Sequence, residues 1–165
     1  MKKITLFLDI DGVLNNREQL RQDLEKLNFP WHESIPKTSS NAGFYPPSLG
    51  YVNEYIERFN ADIVISSSWK NYFELEKLKK KLHDNGLVGN IVGCTSSSSL
   101  NRAAEIFEYG NRNQIGAFMI FEDAEKSIKN FPEKNWVFVE DGWINSGFEF
   151  KHLNEAIEKT EKLIL

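Results

Sequence analysis

The sequence predicts an α/β fold, a three-layer sandwich in which helices cover both faces of a central parallel sheet. Three observations lead there. Short, nearly continuous apolar runs rich in β-branched and aromatic residues recur along the chain, as expected of strands covered on both faces. Between them, apolar residues repeat at helical spacing. The chain has 165 residues and 41% apolar content, enough to build one domain with a real core. Alternating strands and helices imply right-handed crossovers onto one sheet, with ligands collecting outside the carboxyl ends of the strands.

The elements follow in order. Ile4-Thr5-Leu6-Phe7-Leu8 reads as the first strand. Residues 15–47 interrupt the rhythm as an insertion, a flap or small cap: a short helix over Leu20, Leu24 and Leu27, then an aromatic and proline-rich stretch with Trp31, His32, Phe44 and Tyr45. These rings suit either base stacking or burial against the core. Leu49, Val52, Ile56 and Phe59 share a helix face that ends near Asn60, and Ile63-Val64-Ile65 is the second strand. Asn71 and Glu74 resemble a capping pair for a helix over 71–85 that carries Leu75, Leu78 and Leu82 and stops at Gly86. Ile91-Val92 is a weaker strand, and the serine run 95–99 is a loop that offers an N-cap to a helix over Leu100, Ala103, Ile106 and Phe107. Strands over 117–121 and 136–139 complete the sheet. One domain over 1–165, with no internal repeat, is expected.

Composition excludes several classes. A net charge of -4 and a pI near 5.5 give no global positive field to gather nucleic acid. The single cysteine, Cys94, excludes an intramolecular disulfide and argues against a thiolate zinc site. The apolar run before Asp9 is too short for a signal peptide or membrane span, so a cytoplasmic, membrane-free setting with no protein partner is the expectation. His32, His83 and His152 show no metal-ligand spacing and read as surface or loop residues. Lys77, Lys79, Lys80 and Lys81 form a basic stripe, most simply a solvated face.

The chemistry gathers where the first strand ends. Asp9 and Asp11 sit two apart, so in extended chain both carboxylates address one centre, and Gly12 permits the bend that follows. Two ionised carboxylates so close require a cation or a shared proton, and Mg2+ suits oxygen donors.

The run Phe7-Leu8-Asp9-Ile10-Asp11-Gly12-Val13-Leu14-Asn15 resembles the first motif of the haloacid dehalogenase-like (HAD) superfamily, most of whose members are phosphatases. The resemblance implies a Rossmann-like core in which Asp9 is the nucleophile and Asp11 the general acid and base, its backbone carbonyl helping to hold the metal. Ser66-Ser67-Ser68-Trp69 resembles the triplet of the phosphatase domains of "Swiss Army Knife" RNA-repair proteins, which implies a phosphate-binding hydroxyl here. Ser67 is favoured, Ser66 is the alternative, and Ser68 stands beside them. Arg102-Ala103-Ala104-Glu105-Ile106 resembles the subgroup's helix opening, which implies that Arg102 binds the phosphoryl oxygens, with Lys70 and Lys126 as fallback candidates. Glu122-Asp123 stands where the superfamily has two metal-binding positions, and Glu122 departs from the usual Asp or Gly. The metal set is therefore Asp9, Asp11, Glu122 and Asp123. Gly147-Phe148 marks the packing start of the last helix, with Glu140 and Asp141 solvated. The function implied is Mg2+-dependent hydrolysis of a phosphomonoester on a nucleotide or nucleic-acid end. A small-metabolite phosphatase and a non-catalytic HAD-fold binding module are the alternatives.

Overall fold

The computed structural model describes residues 3–26, 28, 43–97 and 101–165. Its strands are β1 Thr5–Leu8, β2 Asp62–Ile65, β3 Asn90–Cys94, β4 Phe118–Glu122 and β5 Trp136–Phe138. They form one parallel sheet in the order β3-β2-β1-β4-β5, which places β1 at the centre. The helices among the described residues are α1 Arg17–Lys26, α2 Pro46–Phe59, α3 Leu75–Asp84, α4 Arg102–Arg112 and α5 Phe150–Ile164.

Strand alternation divides the core into two layers. Leu6, Leu8, Ile63, Ile65, Met119 and Phe121 share a cluster with Val52 and Tyr55 of α2, Leu78 of α3 and Leu153 of α5. Phe7, Val64 and Ile120 point the other way, onto Ala103 and Ile106 of α4 and onto Ile128 and Phe131. Helices therefore cover both faces, and α4 has the second face largely to itself.

Register positions the chemistry. Leu8 pairs with Ile65 on one side and Phe121 on the other. One residue further on, Asp9, Ser66 and Glu122 stand in a single row across the three central strands. Main-chain bonds continue into that row: Asp9 N donates to Phe121 O at 3.1 Å, Ser66 N to Leu8 O at 2.9 Å and Thr95 N to Ile65 O at 3.0 Å. By alternation these residues belong to the α4 face.

Several local expectations change. β3 is an edge strand whose Asn90 and Val92 are exposed while Ile91 and Gly93 are buried, which is why its apolar run is weak. Pro46 and Pro47 open α2 rather than closing the insertion, since proline at the first helical positions gives up only an N–H that has no partner there. Asn71 does not cap α3. Glu74 holds that position, and Asn71 ends a short 3-10 helix, Ser68–Asn71, capped by Ser67. α4 is capped by Asn101, whose side chain accepts the Ala104 N–H at 2.8 Å. Ser98, Ser99 and Leu100 lie outside the described residues. So do Leu27, Trp31 and His32, whereas Phe44 is buried with its ring 6.2 Å from that of Trp69.

His152 is buried, not superficial: its Nδ1 accepts the Glu149 N–H at 2.9 Å and closes a capping box at the start of α5. The lysine stripe is partly spoken for. Lys79 pairs with Glu76, Lys80 with Asp84, and Lys81 lies over the Trp69 and Phe73 rings. No helix among the described residues is long and apolar enough to cross a membrane.

Candidate active site

The chain turns sharply after β1. Leu14 N donates to Ile10 O at 2.8 Å and Gly12 N to Asn15 O at 3.1 Å, so Asn15 returns beside Asp11 and bridges to it. Gly12 has φ of 81°, and a Cβ there would stand 2.1 Å from Asp123 Oδ2. Glycine thus lets the turn adopt a left-handed backbone and lets the Asp123 carboxylate lie against it. Asn15 and Trp69 both hold Asp11. Asn15 Nδ2 donates to its Oδ1 at 3.0 Å, and Trp69 Nε1 donates to Oδ1 and Oδ2 at 3.2 and 3.1 Å. Asn15 and Trp69 are both fully buried, so these bonds operate away from competing water.

Arg102, the first residue of α4, reaches back across the end of the sheet. Its Nη1 lies 2.9 Å from Asp9 Oδ1, 3.1 Å from Glu122 Oε2 and in close contact with the Ser66 carbonyl. All three contacts use one nitrogen, and the other edge of the guanidinium has no partner among the described residues. Burial alone would weaken the guanidinium's hold on its proton, but Asp9 and Glu122 outweigh it and raise Arg102 above its ordinary value. Glu122 Oε1 accepts the Asp123 and Ala124 N–H groups, each at 3.1 Å. Both Glu122 oxygens are therefore engaged. Burial first, and then the charge of Asp9, push the Glu122 carboxyl well above its ordinary range, with Arg102 pulling the other way.

The serines divide their tasks. Ser66 Oγ is buried with no hydrogen-bond partner among the described residues, although its residue shares the row of Asp9 and Glu122. Ser67 is fully buried, and its Oγ accepts the Trp69 N–H at 3.5 Å. Ser68 lines the pocket with Asp9, Asp11, Arg102, Glu122 and Asp123. Lys70 is paired elsewhere. Its ammonium contacts Glu105 and donates to Thr95 Oγ1 at 2.9 Å, a buried clasp between the 3-10 helix and α4. Asn15, Trp69 and Glu105 carry no chemical signature in the sequence that marks these contacts. The Trp69–Asp11 pair spans 58 residues and depends on the fold.

Asp9, Glu122 and Asp123 offer carboxylate oxygens within 4.8 Å of one another. With Asp11, four carboxylates share a pocket of about 180 Å3 with one guanidinium. The excess negative charge and all-oxygen donor set fit a hard divalent cation such as Mg2+. A larger cavity of about 540 Å3 adjoins this pocket, sharing Ser68, Arg102 and Ala124 with it.

A parallel sheet with carboxylates at its carboxyl edge and an arginine bridging two of them is the arrangement expected of a HAD fold. The chain belongs to the family described as the HAD domain in Swiss Army Knife RNA repair proteins, whose model matches residues 5–152. Among solved structures, a haloacid dehalogenase-like hydrolase from Streptococcus pneumoniae is similar at 13% identity with a TM-score of 0.47, over 93% of this chain and 90% of that one. Among curated proteins none matches the sequence.

Proposed function

We propose that the protein is a Mg2+-dependent phosphatase that hydrolyses a phosphomonoester, on a nucleotide or nucleic-acid end, through an aspartyl phosphate on Asp9. The observation that carries this reading is the Arg102 guanidinium, joined to Asp9 and Glu122 through one nitrogen, with its other edge uncommitted among the described residues. An Asp9 oxygen attacks phosphorus, the bond to the leaving oxygen breaks, and Asp11 delivers its proton to that oxygen. Asp11 then takes a proton from water as the water oxygen attacks the same phosphorus, and the bond to Asp9 breaks to release inorganic phosphate.

Arg102 spreads charge from the equatorial phosphoryl oxygens. Ser66, with an unpartnered buried hydroxyl level with Asp9, takes the phosphate-binding role in preference to Ser67, whose hydroxyl caps a turn. Asp123 joins Asp9 and the Asp11 carbonyl as the magnesium ligands, while Glu122, with both oxygens engaged, holds Arg102 in place. When bound, magnesium supplies charge neutralisation on the transferring group.

The test is phosphate release from an aryl phosphate with and without Mg2+. Wild type should turn over only with the metal, and Asp9→Asn should lose about a thousandfold or more. Metal-independent turnover, or an Asp9→Asn variant of near wild-type rate, contradicts this mechanism, and no turnover over a broad substrate panel favours a binding module.

A further inference from the structure

We infer that the larger cavity is a subsite for a second phosphate carried by the leaving group, read by the ammonium of Lys126. This rests on the phosphatase reading for what occupies the adjoining pocket. At about 180 Å3 the acidic pocket holds a phosphoryl group and a cation, so the remainder of any substrate must lie outside it. The adjoining space of about 540 Å3 is within the range of small-molecule sites and begins at the same Ser68, Arg102 and Ala124 walls.

The lining of that space selects its occupant. None of the described residues lining it is aromatic, so it offers no platform on which to stack a base. Asn71, Ser97, Asn101 and Ser127 give it hydrogen-bonding walls. Of its charges, Lys70 and Glu105 neutralise each other, and Arg102 is joined to Asp9 and Glu122. Lys126 is left as a cation with no carboxylate against it among the described residues. Its backbone is firmly set: it sits in the 3-10 turn Glu125–Ser127 directly after Asp123, where Ser127 N donates to Ala124 O at 2.8 Å, and fully buried Ile128 anchors the turn in the core. An uncompensated, exposed ammonium carried on a set turn at the wall of a polar cavity, beside a phosphoryl site, is complementary to a further anion on the same substrate.

The same chemistry could come from a terminal phosphate or from an internucleotide diester, and the substrates separate the two. Adenosine 5′-monophosphate, adenosine 3′,5′-bisphosphate and a 5′-phosphorylated dinucleotide are compared by kcat/KM with wild type, Lys126→Ala and Lys126→Glu. Wild type should prefer a substrate with a second phosphate by about tenfold or more, the scale of one charge-assisted contact. That ratio should fall towards one in Lys126→Ala and below one in Lys126→Glu. A preference for the bisphosphate alone assigns the subsite to a terminal phosphate, and an equal preference for the dinucleotide assigns it to the diester. No preference in wild type, or a preference that survives Lys126→Glu, overturns the inference. If no nucleotide is hydrolysed, the phosphatase reading fails separately. Calorimetric titration of the same ligands into the Asp9→Asn protein with Mg2+ then decides the subsite: tighter binding of the second phosphate that depends on Lys126 supports it, and equal affinities refute it.

Discussion

Glutamate at position 122 carries its carboxylate one methylene further from the backbone than aspartate would, and the site uses that reach. One oxygen folds back onto the N–H groups of Asp123 and Ala124, and the other meets Arg102. The departure from the usual residue thus fits a division of labour in which Asp123 faces the metal and Glu122 orients the arginine. Trp69 does a parallel service for Asp11. Replacing it with Phe keeps most of the buried ring and removes the donor to both oxygens. Trp69→Phe should lower kcat by about tenfold with KM little changed, the cost of one hydrogen bond to a charged group. The loss should grow as the leaving group becomes more basic, because proton delivery by Asp11 matters most there. A penalty equal for good and poor leaving groups would mean that Trp69 serves only packing. That Asp9 and Asp11 would share one pocket was legible in the sequence because they stand two apart in one short motif at a strand end. The choice between Ser66 and Ser67 was not. They differ by one position, and only the register with β1 shows which of them shares the row of Asp9.

The element that concentrates the constraint is the turn after β1. Gly12 has a left-handed backbone and the Asp123 carboxylate against it, and a Cβ at Gly142 would stand 2.0 Å from the Gly12 carbonyl oxygen on another side. Gly12→Ala should destabilise the protein by at least about 1–2 kcal/mol from backbone conformation alone. Mg2+ should raise the melting temperature of wild type, and Gly12→Ala should displace Asp123 and abolish that rise. A variant as stable as wild type, and equally stabilised by Mg2+, would contradict the role given to this turn.

A second element carries a pH response. Burial, reinforced by Lys151, holds His152 below its ordinary 6.5, and its Nδ1 must stay unprotonated to accept the Glu149 N–H. The unfolded chain therefore binds this proton more readily than the folded one. The contribution of the capping box is complete above about 6.5 and is lost as pH falls through the lower folded value. Thermal melts should show stability falling with pH across that window. His152→Gln, which can accept but does not titrate, should flatten the slope, and an unchanged slope would remove His152 as its source. Helix interiors were readable from apolar spacing, and the stops at Asn60 and Gly86 from residue type, but the helix starts were not. Asn71, Glu74 and the serine run all have plausible capping chemistry, and the fold selects among them.

At the scale of the molecule, the order β3-β2-β1-β4-β5 puts the strand bearing Asp9 at the centre, where both neighbours align with it. α4 covers that face and delivers Arg102 from its first turn. Buried parallel strands announce themselves as apolar runs, so this architecture was legible. The edge strand β3 was faint because alternate residues face solvent, and the start of α2 was hidden by its prolines. The adjoining cavity had no sequence signature at all, since Ser68, Asn101 and Lys126 come together only when the strand ends align. The central claim is that phosphate passes through Asp9, and mass spectrometry of protein acid-quenched during turnover with Mg2+ tests it most directly. The account predicts one phosphoryl group on the peptide containing Asp9 and none in Asp9→Asn. Sustained turnover with the phosphoryl group on another residue, or an Asp9→Asn protein that still hydrolyses the substrate, would contradict it.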